Sequence, residues 1–377
     1  MDLPAARKIL VVKLDFIGDW VLTTPFLAGL RRAAPNAAIT AVVLERVYDL
    51  AAPCQLIDRI IAVPAAAEGA VQFGAASRED LDLFLADIRS SAFDLALVPR
   101  WDTDFNGATR IAGLAGAAHV VGFSERCTER KQVENRGFDR YLSVALLDLR
   151  DCHEVEHTGG FLDALGAPRE ARLRLDLASA DHAAAAAFRA ANFREPSRPL
   201  LAVGPFAAGR RQWPLDRSAT LASRLARAMN LDVVVIGGPN DAAEARALAG
   251  RIKVDGVQAA SAAGVLNLRE SAALIGMAAL FIGMDSGPGH IAAALGVPVV
   301  VVSAHPPGAS PKHPGAPERF GPWADPSRVL ILRTPAHRPP CSDGCEADTP
   351  HCILGIDVED AVARVGGFAA AVLANRA

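Results

Sequence analysis

The sequence predicts an α/β protein of two domains, each built around a parallel sheet in the manner of a Rossmann fold. The chain has 377 residues, and single hydrophobic cores rarely grow beyond roughly 250–300 residues. Short apolar runs alternate with helical segments along both halves of the chain, which is typical of βα units in a parallel sheet. Glycine-rich turns follow several of these runs, as they do where parallel strands end at a ligand site.

The first series of βα units starts near the N terminus. Residues 9–14 form an apolar run, Gly18 provides a turn, and the apolar positions that follow recur at helical spacing. Further strands are predicted at residues 38–45, 59–63, 94–99 and 119–123. Because helical stretches separate these runs, we expect a parallel sheet that is covered on both faces.

The second series has strands predicted at residues 200–206, 232–238, 279–284 and 297–303. Between the two series, residues 172–177 have the pattern of a strand, and an Ala-rich helix and a proline-flanked exit follow. We place a hinge within residues 176–199. The predicted domains span residues 1–180 and 181–355, and a last helix is predicted within 356–377.

Charge and hydropathy exclude several classes of partner. The formal net charge is -3 at pH 7, which gives no field to attract nucleic acid or acidic lipid. The longest apolar runs are far shorter than the roughly 20 residues that a membrane-spanning helix needs, and residues 1–8 lack the apolar core of a signal peptide. We therefore expect a cytoplasmic protein that does not bind nucleic acid.

The six cysteines fall into two groups. The first three, at positions 54, 127 and 152, are scattered and are expected to be ordinary thiols. Cys341, Cys345 and Cys352 lie close together beside His351. This group is a candidate metal site, although its spacing does not provide an obvious set of four ligands.

The loop after the first strand carries two carboxylates. Asp15 and Asp19 flank the turn at Gly18, and Asp19 lies at the start of a helix. Carboxylates at the carboxyl end of a parallel strand are in position to contact a ligand. The alternative is that Asp19 is only an N-cap, which accepts hydrogen bonds from the first amides of the helix.

The loop after residues 200–206 suits a diphosphate. Gly204 and Gly209 make its backbone flexible, and Arg210 and Arg211 come just before a helix. Amides at a helix N terminus and an arginine fork both bind phosphate oxygens. The alternative is a pair of solvated arginines on a connector.

The loop after residues 232–238 ends with an acid at the start of a helix. Asp241 or Glu244 can accept hydrogen bonds from the hydroxyls of a ribose. Either acid can equally be a favourable charge in the first turn of the helix, where the dipole stabilises it.

The loop after residues 279–284 holds the densest set of functional groups. It reads Asp285-Ser286-Gly287-Pro288-Gly289-His290 and leads into a helix. Without side chains at Gly287 and Gly289, a phosphate can approach the backbone, and Ser286 and His290 can donate to its oxygens. Asp285 adds an acceptor for hydroxyls. The loop is therefore expected to bind an anion that carries a sugar.

Two pairs of acids match the loose Asp-x-Asp pattern with which many sugar transferases bind a metal. They are Asp80 with Asp82, which lie in an ordinary helix start, and Asp102 with Asp104. Such a spacing arises readily by chance among 42 acidic residues, and no metal is predicted at either pair. No βα unit contains G-x-G-x-x-G, which disfavours an NAD dehydrogenase.

These four loops, in this order, resemble those of the heptosyltransferase-like glycosyltransferases, glycosyltransferase family 9, over nearly the whole chain. The family's Ile-Gly-Asp and Thr-x-Pro patterns, its phosphate loop, its Gly-Gly-Pro turn and its Asp-(Ser/Thr)-Gly-Pro-x-His signature match residues 17–19, 23–25, 204–214, 237–239 and 285–290. The chain departs from the family at Arg211, Ser286 and Gly289, where Lys, Thr and Met are most frequent. Arg keeps the charge of Lys but changes its geometry.

The resemblance implies a GT-B fold, in which two Rossmann-like domains face each other. It implies that residues 1–180 are the acceptor-binding domain, that residues 181–355 are the nucleotide-sugar-binding domain, and that the last helix within 356–377 packs back on the N-terminal domain. It also implies an inverting transfer of a sugar, such as a heptose from ADP-heptose, to a hydroxyl of a saccharide, glycolipid or other acceptor, as in lipopolysaccharide biosynthesis. Asp19 would be the catalytic base. The donor-binding residues would be Gly204, Arg211, Asp241, Asp285, Ser286, Gly287, Pro288 and His290, and the acceptor-side candidates are Lys13, Asp15, Gly18 and Arg100.

The reaction is expected to need no cofactor and no metal, because these donors would neutralise the leaving diphosphate. Any contact with a membrane is expected only through a lipid-linked acceptor. Two alternatives use the same scaffold. One is a nucleotide-sugar epimerase or hydrolase, and the other is a non-catalytic family member that only binds nucleotide sugars.

Overall fold

The computed structural model describes residues 3–63, 78–195, 197–253, 257–313, 315–339, 341 and 347–374. It divides into two compact units, Met1–Asp176 and Leu177–Ala377. Both contain a six-stranded sheet in which the paired strands are parallel, with helices between the strands. The prediction of a two-part α/β protein with parallel sheets is confirmed.

Unit 1 has the strand order β3-β2-β1-β4-β5-β6. Its strands are β1 Lys8–Lys13, β2 Ala38–Leu44, β3 Arg59–Val63, β4 Leu95–Val98, β5 His119–Phe123 and β6 Val144–Leu146. Its helices are α1 Ile17–Ala33, α2 Glu45–Ala51, α3 Arg78–Ser90, α4 Ala108–Leu114, α5 Glu129–Glu134 and α6 Glu154–Ala164. The order reverses between β1 and β4, so their two loops leave a crevice at the carboxyl edge where ligands bind in such sheets.

Unit 2 repeats this order as β9-β8-β7-β10-β11-β12. Its strands are β7 Leu200–Gly204, β8 Asp232–Val235, β9 Ala259–Ser261, β10 Leu280–Met284, β11 Val299–Ser303 and β12 Val329–Arg333. Its helices are α7 Ser179–Asn192, α8 Leu215–Met229, α9 Ala242–Ile252, α10 Leu268–Gly276, α11 Gly287–Ala294, α12 Pro317–Phe320 and α13 Val358–Ala374. The corresponding reversal lies between β7 and β10.

Five of the strands inside the two sheets are buried along their whole length, because helices cover both faces of each sheet. Every residue of β4, β7, β8, β10 and β11 is buried. This burial explains why these strands appear in the sequence as continuous apolar runs rather than as an alternation of apolar and polar residues. The strands at the sheet edges, such as β12, are only partly buried.

The strand predicted at residues 172–177 is wrong. These residues join no sheet. Their backbone is bonded instead to a side chain of α1, since the amide of Arg174 donates to Thr24 Oγ1 at 3.0 Å. The carboxylate of Asp176 accepts a hydrogen bond from the amide of Gln55 at 3.0 Å. The alternation of charged and apolar residues in this segment therefore reflects the way it packs along unit 1, and not the pairing of a strand.

The placement predicted for the last helix also needs correction. Helix α13 packs in the core of unit 2, where Ala361, Val365 and Ala369 are fully buried in one cluster with Leu225 of α8 and Leu201 of β7. Small residues on this face allow a close approach to α8. The sequence shows that the helix has an apolar face, but it does not show which domain that face contacts.

Candidate active site

In unit 1 the turn between β1 and α1 carries Asp15 and Asp19. Helix α1 begins at Ile17, and its N-cap residue is Phe16, which makes no side-chain capping bond. The alternative that Asp19 is only an N-cap is therefore wrong. Asp19 lies in the first turn, where the positive end of the helix dipole favours an anion, and the predicted Gly18 is buried beside it.

The guanidinium of Arg100 joins the two carboxylates. Arg100 follows β4, the neighbour of β1, and its Nη1 lies 3.1 Å from Asp15 Oδ1 and 3.3 Å from Asp19 Oδ1. The ammonium of Lys13, at the end of β1, lies 2.8 Å from Asp15 Oδ2. The structure thus brings the predicted base together with the predicted acceptor-side residues, and all four side chains are largely shielded from solvent.

The pKa values of the two carboxyls shift in opposite directions. Burial raises the pKa of Asp19, and the negative charge of Asp15 raises it further, against the opposing effect of Arg100. Burial would also raise the pKa of Asp15, but the positive charges of Arg100 and Lys13 outweigh it and lower that pKa. Asp15 is therefore the permanent anion of the pair, and Asp19 is the more basic carboxylate.

A buried lysine holds the loop that carries Arg100. Lys131 Nζ donates hydrogen bonds to the carbonyl oxygens of Arg100, Trp101 and Phe123, at 2.8, 3.1 and 3.1 Å. Burial lowers the pKa of Lys131 to about 8. Since three backbone acceptors surround the ammonium, the backbone after β4 is fixed at the residue that supplies the guanidinium.

One more acid belongs to this cluster and was missed from the sequence. Glu154, the first residue of α6, is buried, and its charge contributes to the raised pKa of Asp19. No motif marks it, because it reaches the site from a helix distant in sequence. Its position could be inferred only from the packing of α6 against α1.

The two acids of the Asp-x-Asp pair after β4 have different surroundings. Asp104 accepts hydrogen bonds from the amides of Ala108 at 2.9 Å and Thr109 at 2.8 Å, and so caps the start of α4. Asp102 lies beside Arg100, whose pKa it helps to raise. For the other pair, the side chains of Asp80 and Asp82 lie outside the described part of the chain.

In unit 2 the loop after β7 is held by one glutamine. Gln212 Oε1 accepts from the amide of Ala207 at 2.9 Å, and its Nε2 donates to the carbonyl oxygens of Pro205 and Trp213, each at 2.7 Å. The loop presents Arg210 and Arg211 to solvent in the short turn Gly209–Arg211.

Gly204 has a packing role that the sequence did not suggest. A Cβ atom there would lie 2.7 Å from Cζ of Phe281, a buried ring of β10. A Cβ at the facing Gly283 would lie 2.7 Å from the carbonyl oxygen of Gly204. The two glycines therefore allow β7 and β10 to pack around the ring where both strands end.

The loops after β8 and β10 lie at the same edge of this sheet. Asp241 Oδ2 accepts a hydrogen bond from the amide of Gly238 at 2.8 Å, which is the capping role left open by the sequence. After β10, the hydroxyl of Ser286 donates to the carbonyl of Met284 at 3.2 Å and makes no capping bond to α11.

The remaining residues of the Asp285–His290 signature lie at the start of α11 or just before it. Asp285, Gly287 and Pro288 are half-buried at the mouth of α11, and His290 is buried in its first turn. Amides at a helix N terminus suit a phosphate. Because β7, β8 and β10 are adjacent, their three loops converge on one edge of the sheet.

The cysteine cluster is partly within the described residues. Cys341 and Cys352 lie beside His351, whereas Cys345 lies outside the part of the chain that the structure describes.

Among the described helices, none is both long enough and apolar enough to span a membrane.

Solved structures share this fold over the whole chain. A glycosyl transferase of family 9 from Veillonella parvula superposes with a TM-score of 0.76 at 21% identity, covering 98% of this chain and 99% of the other. The ADP-heptose lipopolysaccharide heptosyltransferase II of E. coli gives 0.67 at 18% identity, with coverage of 98% and 99%. E. coli heptosyltransferase WaaC with ADP gives 0.67 at 16% identity, with coverage of 96% and 99%.

Comparison of the sequence with family models identifies the family of this chain. No curated protein sequence gives a significant match. The model of glycosyltransferase family 9 (heptosyltransferase), however, matches residues 150–346, which is more than half of the chain. The match includes the loops after β7, β8 and β10. The chain therefore belongs to glycosyltransferase family 9 and is a glycosyltransferase with a GT-B fold of two Rossmann-like domains.

Proposed function

We propose that this glycosyltransferase moves a heptose from ADP-heptose to a hydroxyl of a saccharide or glycolipid, with inversion at the anomeric carbon, in the cytoplasm. The observation that carries the proposal is the buried carboxylate of Asp19, whose pKa is raised and which lies beside Arg100. The similar E. coli proteins are described as an ADP-heptose heptosyltransferase and as a heptosyltransferase with ADP, which supports this donor.

Asp19 acts as the general base. As the acceptor oxygen bonds to the anomeric carbon, its proton passes to Asp19 and the bond from that carbon to the diphosphate oxygen breaks. A single displacement of this kind inverts the anomeric centre. The raised pKa makes Asp19 a stronger base than an ordinary carboxylate. Lys13, Asp15, Gly18 and Arg100 form the acceptor side, where Arg100 contacts Asp19 and is itself paired with Asp15.

The loops of unit 2 bind the donor. Arg211 and the Gly204 end of β7 contact the diphosphate, together with Ser286, Gly287, Pro288 and His290 at the start of α11. The positive end of the helix and the arginine stabilise the charge that develops on the leaving group. Asp285 contacts the sugar and Asp241 the ribose. With these donors in place, we expect turnover to continue in EDTA without added Mg²⁺ or Mn²⁺.

The test compares Asp19→Asn with wild type, using ADP-heptose and a lipopolysaccharide-core acceptor. The variant should lose about 10²- to 10⁴-fold in turnover while ADP-heptose binding changes little, because the base acts on the acceptor proton. Asp49→Asn, an exposed aspartate of α2, serves as the control and should keep full activity.

Three outcomes would contradict the proposal. Wild-type turnover by the Asn variant would remove Asp19 from the mechanism. Release of free ADP or of an epimerised sugar at the full rate without acceptor would indicate a hydrolase or epimerase instead. A chain that binds ADP-heptose and catalyses neither reaction would be a binding protein.

A further inference from the structure

Three side chains with metal-ligand chemistry converge near the end of unit 2. Their ligand atoms, the Sγ atoms of Cys341 and Cys352 and a ring nitrogen of His351, all lie within 4.8 Å of one another. His351 Nδ1 is 3.6 Å from Cys341 Sγ and 3.4 Å from Cys352 Sγ. Both cysteines are buried and the imidazole is half-buried.

These distances fit the edges of a tetrahedral metal centre. With zinc bonds of about 2.3 Å to sulfur and about 2.0 Å to nitrogen, adjacent ligand atoms of a tetrahedron lie about 3.5 Å apart. The two sulfur–nitrogen distances in the structure have this value, and both involve the same Nδ1 atom. The ligands are therefore already at coordinating separation.

We propose that Cys341, His351 and Cys352 bind one zinc ion. Two thiolates and an imidazole are a donor set that selects zinc over hard cations such as Mg²⁺. The amide of Arg338 points at Cys352 Sγ, with 3.3 Å between nitrogen and sulfur, which is the kind of hydrogen bond that orients and stabilises a ligating thiolate. Water or a further protein ligand completes the tetrahedron.

The role of this ion follows from what the surrounding segment touches. Asp348, between the ligands in sequence, packs so closely on the phosphate loop that a Cβ at Gly209 would lie 3.1 Å from its carbonyl oxygen. Just after the ligands, the carbonyls of Leu354 and Ile356 accept hydrogen bonds from Arg217 of α8 at 2.9 and 2.7 Å. The segment from Asp348 to Ile356 thus packs against the turn Gly209–Arg211 at one end and is bonded to α8 at the other.

The ion is accordingly structural, and it holds the turn that presents Arg211. Metal binding itself is independent of the proposed function, whereas the effect on nucleotide affinity rests on it. The two parts are therefore measured separately.

The first measurement is metal content of the full-length chain, purified without an affinity tag. Wild type should contain about one zinc per chain, and Co²⁺ exchanged into it should give a thiolate-to-cobalt charge-transfer band. Cys352→Ser and Cys341→Ser should each lose the band and most of the metal. Cys54→Ser, a cysteine of unit 1, should keep both. A wild-type protein that holds no zinc and gives no cobalt band would overturn the site, even if both serine variants are insoluble.

The second measurement is ADP affinity of wild type before and after the metal is stripped, with folding checked by circular dichroism. Loss of the metal should weaken ADP binding several-fold and restored zinc should recover it. If stripped, folded protein binds ADP as well as the metal-loaded form, the proposed support of the Arg211 turn is wrong. If metal-loaded protein binds no ADP at all, the proposed donor is wrong while the metal content still decides the site.

Discussion

Asp15 and Asp19 are two carboxylates of one turn that share an arginine but differ in their other charged neighbours. Arg100 contacts both, but Lys13 contacts Asp15 at 2.8 Å. The cations keep Asp15 ionised, and its charge then raises the pKa of Asp19. Pairs of acids whose environments push their pKa values apart are typical of sites in which one acid exchanges a proton and the other stays charged.

This coupling predicts opposite pH shifts for two variants. The acidic limb of kcat/KM should report Asp19, which must be deprotonated to act as a base. Asp15→Asn removes a negative charge, lowers the pKa of Asp19 and should move the limb to lower pH, by about one unit or more. Arg100→Gln removes a positive charge and should move it to higher pH. The measurement is kcat/KM against pH for both variants and wild type.

The control for this prediction is Asp49→Asn, which should leave the limb where it is. Shifts of Asp15→Asn and Arg100→Gln in the same direction would mean that a group other than Asp19 controls the limb.

At the residue scale the sequence predicts groups that lie next to motifs and misses those that arrive by tertiary packing. Asp15, Asp19 and Arg100 follow strand ends and were predicted. Glu154 and Lys131 were not, because each reaches the site from a helix whose sequence has no functional signature. A buried charge cannot be told from an exposed one by spacing alone.

At the scale of elements, the ends of β7 and β10 are fixed by a ring and two glycines. Phe281 is fully buried, and Gly204 and Gly283 make room for it at adjacent positions of the two strands. The loops that follow carry the residues proposed to bind the donor. The packing of this ring therefore sets where both loops begin.

This packing predicts that Gly283→Ala destabilises the protein by about 1–3 kcal/mol, because an added methyl overlaps both the carbonyl oxygen of Gly204 and the buried ring of Phe281. Gly289→Ala is the matched control. A Cβ there meets only ordinary contacts of 3.8 Å or more, and alanine favours the helix, so stability should rise by up to about 1 kcal/mol. Urea unfolding of both variants provides the measurement, and equal stabilities would show that β10 shifts to accommodate the methyl.

Element prediction succeeded for nine strands, including the edge strand β3, and failed for three other edge strands. The strands at 59–63 and 119–123 match β3 and β5 residue for residue. By contrast, β6, β9 and β12 were not predicted. Two of them have three residues each and are too short to produce an apolar run. The third, β12, has the apolar run Val329–Leu332 and was missed although its sequence resembles that of β3. Residues 172–177 have the alternating pattern of a strand, but they pair with no described strand.

At the scale of the whole molecule, the two units are built on the same plan. Each has a six-stranded parallel sheet with equivalent strand order, and each places charged or glycine-rich loops at its point of reversal. Unit 1 there carries buried carboxylates, whereas unit 2 carries exposed arginines and the mouth of α11. The edge in unit 1 is therefore suited to accept a proton, whereas the edge in unit 2 is suited to bind an anion.

This division predicts that residues 177–377, produced alone, fold and bind ADP. The fragment contains a complete sheet, its own core and helix α13, whose buried face packs within that core, and domains of this size fold independently. The proposed diphosphate contacts all lie in it. Calorimetry should give an ADP affinity within about tenfold of the full chain, because no contact of the nucleotide is removed.

Within the same fragment, Arg211→Ala should weaken ADP binding by about tenfold or more and leave adenosine binding unchanged, since a charged hydrogen bond to phosphate is worth about 1.5–3 kcal/mol. Arg210→Ala, the exposed neighbour in the same turn, controls for loss of charge alone and should weaken ADP less. Equal losses for ADP and adenosine would place Arg211 away from the phosphates. A folded fragment that does not bind ADP would mean that unit 1 supplies part of the nucleotide site.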